Sequence, residues 1–153
     1  MLDSVAKVGQ NVKGMSAPSE TPDPSELVGD RLRLLLVDDD PVVRQMMVSM
    51  VEAWEHDAHV APDAESALET LDEIRFDVVV SDIRMPGIDG IELLRRIKSQ
   101  WPETDVVMIT AYGMSYSYMD VVEAGATDFV TKPFEPEELR AKLRRIAQER
   151  RLR

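Results

Sequence analysis

Cysteine is absent from the 153 residues, which excludes disulfides and thiolate metal sites. Histidine occurs only twice, at His56 and His59, and neither stands among the acidic positions that matter below. Long apolar runs are missing too. The longest hold four residues, as in Leu34 to Val37, against the roughly 20 that a membrane-spanning helix needs. The N-terminus lacks the charged start and long apolar stretch of a secretory signal. These absences predict a cytoplasmic chain. The 44% hydrophobic and 31% charged content is that of a soluble globular protein, and the length suits one domain with a real core.

The net charge of −11 is unevenly spread. Residues 31–139 carry 9 basic and 23 acidic side chains, whereas residues 140–153 carry 7 basic and 1 acidic. An acidic body argues against broad nucleic-acid binding and favours a cation site. The basic end reads as a solvated helix face with cations well placed at a helix C-terminus, and nucleic acid is not an expected partner.

Residues 1–30 read as a disordered or weakly helical tail. Ser16 to Glu26 contains three prolines, three serines and no aliphatic side chain larger than alanine. Such a segment cannot bury enough apolar area to offset the entropy of ordering.

From Leu32 onward the pattern becomes regular. Leu34 to Val37 reads as a buried strand ended by Asp38, Asp39 and Asp40. Asp40 is a predicted N-cap ahead of Pro41, and the helix to about Glu55 should bury Val42, Val43, Met46, Met47, Met50 and Val51. A short strand at 59–61 precedes a helix capped by Asp63. The triple valine Val78 to Val80 marks a central strand from Asp77 to Ser81, followed by Asp82 and turn signals at Met85-Pro86-Gly87 and Asp89-Gly90. A helix to Gln100, a strand from Asp105 to Ile109, a looser helix near 115–123 closed by Gly125, a strand from Thr127 to Val130 and a last helix from Pro136 complete the series. Five βα repeats require parallel pairing and right-handed crossovers, hence a doubly wound α/β sandwich.

In a parallel sheet the carboxyl ends of the strands share one edge. Asp38, Asp39 and Asp82 therefore converge there with Thr110 and Lys132. Three packed carboxylates repel and call for a divalent cation. With oxygen ligands alone, that cation is Mg²⁺, or Mn²⁺. A carboxylate beside such a cation, opposite a lysine, is arranged to accept a phosphoryl group.

The motifs L-L-V-D-D-D-P near 35–41, S-D-I-R-M-P-G-I-D-G at 81–90, M-I-T-A-Y-G at 108–113 and A-G-A-T-D-F-V-T-K-P-F at 124–134 resemble those of bacterial response-regulator receiver domains. The resemblance implies a flavodoxin-like sheet of strand order 2-1-3-4-5 with helices on both faces, a receiver over 31–148 and a basic C-terminal end at 149–153. It implies Asp82 as phosphoacceptor, with Asp38, Asp39 and the Arg84 backbone carbonyl completing the metal ligands. Lys132, Thr110 and the Ala111 backbone N–H would contact the phosphoryl group, Thr110 and Phe129 would form the switch, and Lys132–Pro133 would be cis. Arg84 and Tyr112, both large, would slow loss of the phosphoryl group. The implied partners are a sensor histidine kinase or phosphotransfer protein, and an output protein or second copy at the 111–145 face. The implied role is not that of an enzyme.

Two other classes fit parts of the pattern. A Mg²⁺-dependent aspartyl-phosphate phosphatase would place an acid two residues after Asp82, where Arg84 stands. A docking module that is never phosphorylated would have no use for the full acidic set. No effector sequence is recognisable after the basic end, and nothing predicts what reads Met114 to Met119.

Overall fold

A computed structural model describes residues 31–111 and 118–152, and the statements below concern these. The predicted tail at 1–30, Tyr112, and residues 114–117 of the Met114–Met119 segment lie outside them. The elements are β1 (Arg33–Val37), α1 (Pro41–Ala53), β2 (Asp57–Ala61), α2 (Ala64–Glu73), β3 (Val78–Asp82), α3 (Gly90–Gln100), β4 (Asp105–Ala111), α4 (Tyr118–Glu123), β5 (Asp128–Lys132) and α5 (Pro136–Arg151).

All four strand pairings are parallel and the order is β2-β1-β3-β4-β5. The predicted doubly wound topology is the one observed. The chain leaves β1 toward β2 and later returns to the other side with β3, so the order reverses between β1 and β3. That reversal opens a crevice at the carboxyl edge, where open α/β sheets bind ligands.

The central strands are apolar on both faces because both faces are covered. All five residues of β3 are buried. Along β1, Leu35 and Val37 join one core with Val79, Val106, Met108 and the inner faces of α2 and α3. Leu34 and Leu36 join the other core with Val78, Val80, Val107, Ile109, α1 and α5. This alternation is the period-2 geometry of a strand carrying a helix layer on either side.

Short polar caps start α1, α2 and α3. Val42 N–H donates to Asp40 Oδ1, Ser66 N–H to Asp63 Oδ1 and Glu92 N–H to Asp89 Oδ1, each at 2.8–2.9 Å. Gly125, at φ 104°, closes α4 as predicted. Trp54 and Trp101 are the C-caps of α1 and α3. Helices in this topology run back against the strands, so both of these helix ends lie at the amino edge of the sheet.

One predicted face is wrong. Val42 is 74% exposed and Met46 52%, so they belong to the outer side of α1. Met47 and Val51, one turn apart, are the fully buried pair, flanked by the half-buried Val43 and Met50. Seven apolar residues in ten admit more than one helical stripe, and packing on the sheet selected the narrower one. The basic C-terminal helix also differs from its reading as a solvated face, because several of its cations are bound to acids at the strand starts.

Candidate functional site

The strand register brings the predicted site together. Val37 pairs with Ser81, Asp82 with Ile109, and Ala111 with Lys132. Asp82, Ala111 and Lys132 are thus the last residues of β3, β4 and β5, with Thr110 one step before the end of β4. Asp38 and Asp39 follow β1 directly.

Carboxylate oxygens of Asp38, Asp39 and Asp82 all lie within 4.8 Å of one another. Asp38 is 1% exposed and Asp82 8%, whereas Asp39 opens to solvent. Lys132 Nζ donates to Asp82 Oδ2 at 2.9 Å and stands 3.7 Å from Asp38 Oδ2. At 3.7 Å the ammonium supplies charge but no hydrogen bond, so Asp38 Oδ2 is buried with no donor. Its other oxygen accepts the Asp40 N–H at 2.9 Å.

The electrostatics follow from this crowding. Burial raises the Asp38 carboxyl above its ordinary value, and the Asp82 and Asp39 charges push the same way against the Asp40 N–H and Lys132. Burial acts to lower the Lys132 ammonium, but its hydrogen bond and charge pairing with Asp82, with Asp38 behind, leave it raised and firmly cationic. Three carboxylates therefore face a single lysine. Their oxygen-only donor set and the orphaned Asp38 oxygen both fit a hard divalent cation.

The loop after β3 is held close. Gly90 N–H donates to the Ile83 carbonyl at 2.7 Å, and a Cβ on Gly90 would stand 2.3 Å from the Asp82 carbonyl oxygen. Only glycine admits this approach of α3 to the end of β3. Gly87 turns the loop with φ 77°. Arg84 N–H donates to Asp82 Oδ1 at 3.3 Å, while the Arg84 side chain is exposed.

Thr110 Oγ1 donates to the Val130 carbonyl at 3.5 Å, so its hydroxyl is engaged with β5. Phe129 is half-buried against the first core, with Lys142 Nζ 5.6 Å from its ring centroid. The Lys132–Pro133 peptide is cis, as expected. Tyr112, the second residue expected to shield the phosphoryl group, lies outside the described residues. One contact escaped the sequence reading. Arg44 Nη1 donates to the Asp38 carbonyl at 2.8 Å. Its signal was positional, a long basic side chain in the first turns of the helix that follows the acids.

The sequence profile described as Response regulator receiver domain matches residues 34–144. The chain belongs to that family. This receiver is 36% identical over 119 residues to the chemotaxis protein CheY of Listeria monocytogenes, covering 76% of this chain and 98% of that protein. It is 38% identical over 118 residues to the transcriptional regulatory protein TrcR of Mycobacterium tuberculosis, covering 76% of this chain but 45% of that one. Among solved structures, the Vibrio cholerae chemotaxis protein CheY4 superposes with TM-score 0.70 at 31% identity, over 76% of this receiver and 98% of that chain. NtrX of Brucella abortus gives 0.74 at 32% identity, over 80% of this receiver and 28% of that chain. The receiver thus spans half or less of several larger relatives: 45% of TrcR, 50% of PhoP from Pseudomonas aeruginosa and 25% of AtoC from Escherichia coli.

Receiver domains as a family are phosphoacceptors that hold Mg²⁺ in an acidic pocket and work with histidine kinases and output domains, and the Asp38–Asp39–Asp82 cluster is a group of acids that could hold a metal ion. Among the described residues no helix is long and apolar enough to cross a membrane.

Proposed function

We propose that this receiver accepts a phosphoryl group on Asp82 in a phosphorelay, as a unit spanning 31–148 that acts in the cytoplasm. The observation that carries the reading is the three-carboxylate cluster with Lys132 bonded to Asp82 and a buried Asp38 oxygen lacking a donor. Asp38, Asp39, Asp82 and the Arg84 backbone carbonyl would hold Mg²⁺, with Mn²⁺ as a substitute. When bound, the cation supplies charge neutralisation for phosphoryl oxygens.

The chain's own groups do the rest. An Asp82 carboxylate oxygen attacks phosphorus. The new P–O bond forms as the P–N bond of a phosphohistidine donor breaks, and the electron pair leaves with the imidazole. The Lys132 ammonium stays beside the oxygens that gain charge, where a fixed cation is most effective. The Thr110 hydroxyl and the Ala111 N–H then hydrogen-bond the acquired phosphoryl group. The donor is a sensor histidine kinase or a phosphotransfer protein.

Phosphorylation replaces the single charge of the Asp82 carboxylate with the roughly two of its phosphoryl group, on an already acidic edge. Thr110, held to Val130 only at 3.5 Å, turns toward them, and Phe129 fills the space it leaves. The 111–145 face changes accordingly and gains affinity for an output protein or a second copy, within the roughly 1–3 kcal/mol available to such coupling. The bulk at Arg84 and Tyr112 keeps the phosphoform alive for about minutes or longer, against a spontaneous loss limited only by water access.

Incubation with acetyl phosphate and Mg²⁺, followed by intact mass and peptide mapping, tests the assignment. One phosphoryl group at Asp82 is expected, and none in Asp82→Asn. Undiminished labelling of that variant would overturn it. Amide exchange with and without beryllofluoride tests the output face: changes confined to 42–75, with none across 111–145, would refute it.

A further inference from the structure

Arg44 is the fourth residue of α1, and Cα–Cβ bonds in a helix tilt toward its N-terminus. The half-buried side chain reaches back over the first turn, so that its guanidinium caps the Asp38 carbonyl at 2.8 Å. Nothing in the proposed phosphoryl transfer uses this contact. Yet that carbonyl belongs to the peptide joining the two acids of the cation site. Holding the peptide plane fixes the direction in which the chain leaves Asp38, and with it the Asp39 carboxylate.

Asp39 is the acid that needs such help. Asp38 is packed at 1% exposure and its Oδ1 is held by the Asp40 N–H. Asp82 is held by Lys132 and the Arg84 N–H. Asp39 is exposed, and among the described residues no side-chain hydrogen bond steers it, so its position depends on its backbone.

We infer that Arg44 is a positioning residue for the cation site, holding the Asp38–Asp39 peptide so that the Asp39 carboxylate stays beside Asp38 and Asp82. The inference rests on the reading of these acids as cation ligands. It is separable from a mere charge effect, because the two have opposite signs. A guanidinium near the site repels a cation, so if charge were its whole role, its removal would tighten Mg²⁺ binding. A positioning role requires its removal to weaken binding.

Calorimetric Mg²⁺ titration of the full chain decides, using wild type, Arg44→Met, Arg44→Lys and Asp39→Asn. Met keeps the apolar stem and removes the donors. Arg44→Met is expected to bind Mg²⁺ about tenfold more weakly, the lower end of what lost outer partners cost a metal site. Arg44→Lys should recover only part, because an ammonium on a shorter reach keeps the charge but not the fork. In the metal-free protein, the Asp39 and Asp40 amides of Arg44→Met should exchange faster at an unchanged urea midpoint. Equal or tighter Mg²⁺ binding by Arg44→Met, with Asp39→Asn weakened, overturns the positioning role alone. Undiminished binding by Asp39→Asn overturns the cation-site reading beneath it. Should Arg44→Met not fold, Arg44→Lys decides: binding equal to or tighter than wild type overturns the inference.

Discussion

Both edges of the sheet are lined with aspartates, and they are treated in opposite ways. At the amino edge each acid has a partner. Asp105 Oδ2 accepts from Arg150 at 2.8 Å while its Oδ1 accepts the Thr127 hydroxyl at 2.9 Å. Asp77 accepts the Arg33 N–H at 2.8 Å and lies 3.3 Å from Arg150. Asp128 is bonded by Lys142 at 3.0 Å and Arg145 at 2.7 Å, and Asp57 by Arg31 at 2.9 Å. At the carboxyl edge Asp38 and Asp82 share one lysine, and Asp39 stands exposed beside them. A satisfied acid fastens strand starts to α5, whereas an unsatisfied one keeps a vacancy of charge for a cation to fill. One edge holds the fold, and the other is kept costly so that binding can relieve it.

The comparison breaks first at Asp105, which is only 5% exposed. Asp105→Ala removes a buried acceptor from both Arg150 and Thr127, leaving Arg150 only Asp77 and the Glu103 carbonyl, and should cost about 3 kcal/mol of stability in urea unfolding, with Mg²⁺ affinity unchanged. A loss below about 1 kcal/mol would show that the amino edge is ornament.

The carboxyl edge should answer with the opposite sign. Asp38 has a raised carboxyl, so its charged form is disfavoured in the fold. Stability attached to it is full below the unfolded carboxylate value and falls as pH rises through the folded one. Asp38→Asn should therefore stabilise the metal-free protein at pH 7 by about 1–2 kcal/mol, and the gain should shrink to nothing as pH drops below about 4. Asp128 is the mirror case. Burial would raise its carboxyl, but the Phe129 N–H, Lys142 and Arg145 hold it below the usual range. Its contribution is present at neutral pH and is lost as pH falls through the lowered value, so the destabilisation caused by Asp128→Asn should fade in acid. Melting curves of both variants from pH 7 to pH 3 should diverge at neutrality and converge on wild type in acid. Parallel curves would erase the distinction between the edges.

Asp39→Ala sharpens the contrast further. It should weaken Mg²⁺ binding by at least about tenfold, or roughly 1.4 kcal/mol, with little effect on the melting temperature. The smallest effect belongs to Asp57. Its bond to Arg31 joins two exposed side chains, and Asp57→Ala should leave the melting temperature where it is.

The carboxyl edge was legible in the sequence because its residues abut the apolar runs that define the strands. Asp82 follows Val78–Ser81 and Asp38 follows Leu34–Val37, so finding the strands finds the acids. The amino edge was not. Arg150 meets Asp105 and Asp77 across 45 and 73 residues, and only the register of the folded sheet brings them together. The same applies to α1, where Val42 and Met46 are as apolar as Met47 and Val51 and only packing separates them. Arg44 went unnoticed because its target is a backbone carbonyl, which no side-chain pattern marks.

The two tryptophans have a practical consequence. Trp54 and Trp101 close α1 and α3 at the amino edge, Trp54 with the Arg140 guanidinium 5.9 Å from its ring centroid. Intrinsic indole emission therefore watches the half of the molecule that carries stability. It will follow urea unfolding well, and its Trp54 part will also change when a phosphoryl group arrives, because Arg140 lies on the 111–145 face. An optical readout of signalling in this protein can therefore rest on Trp54, with Trp101 replaced by phenylalanine.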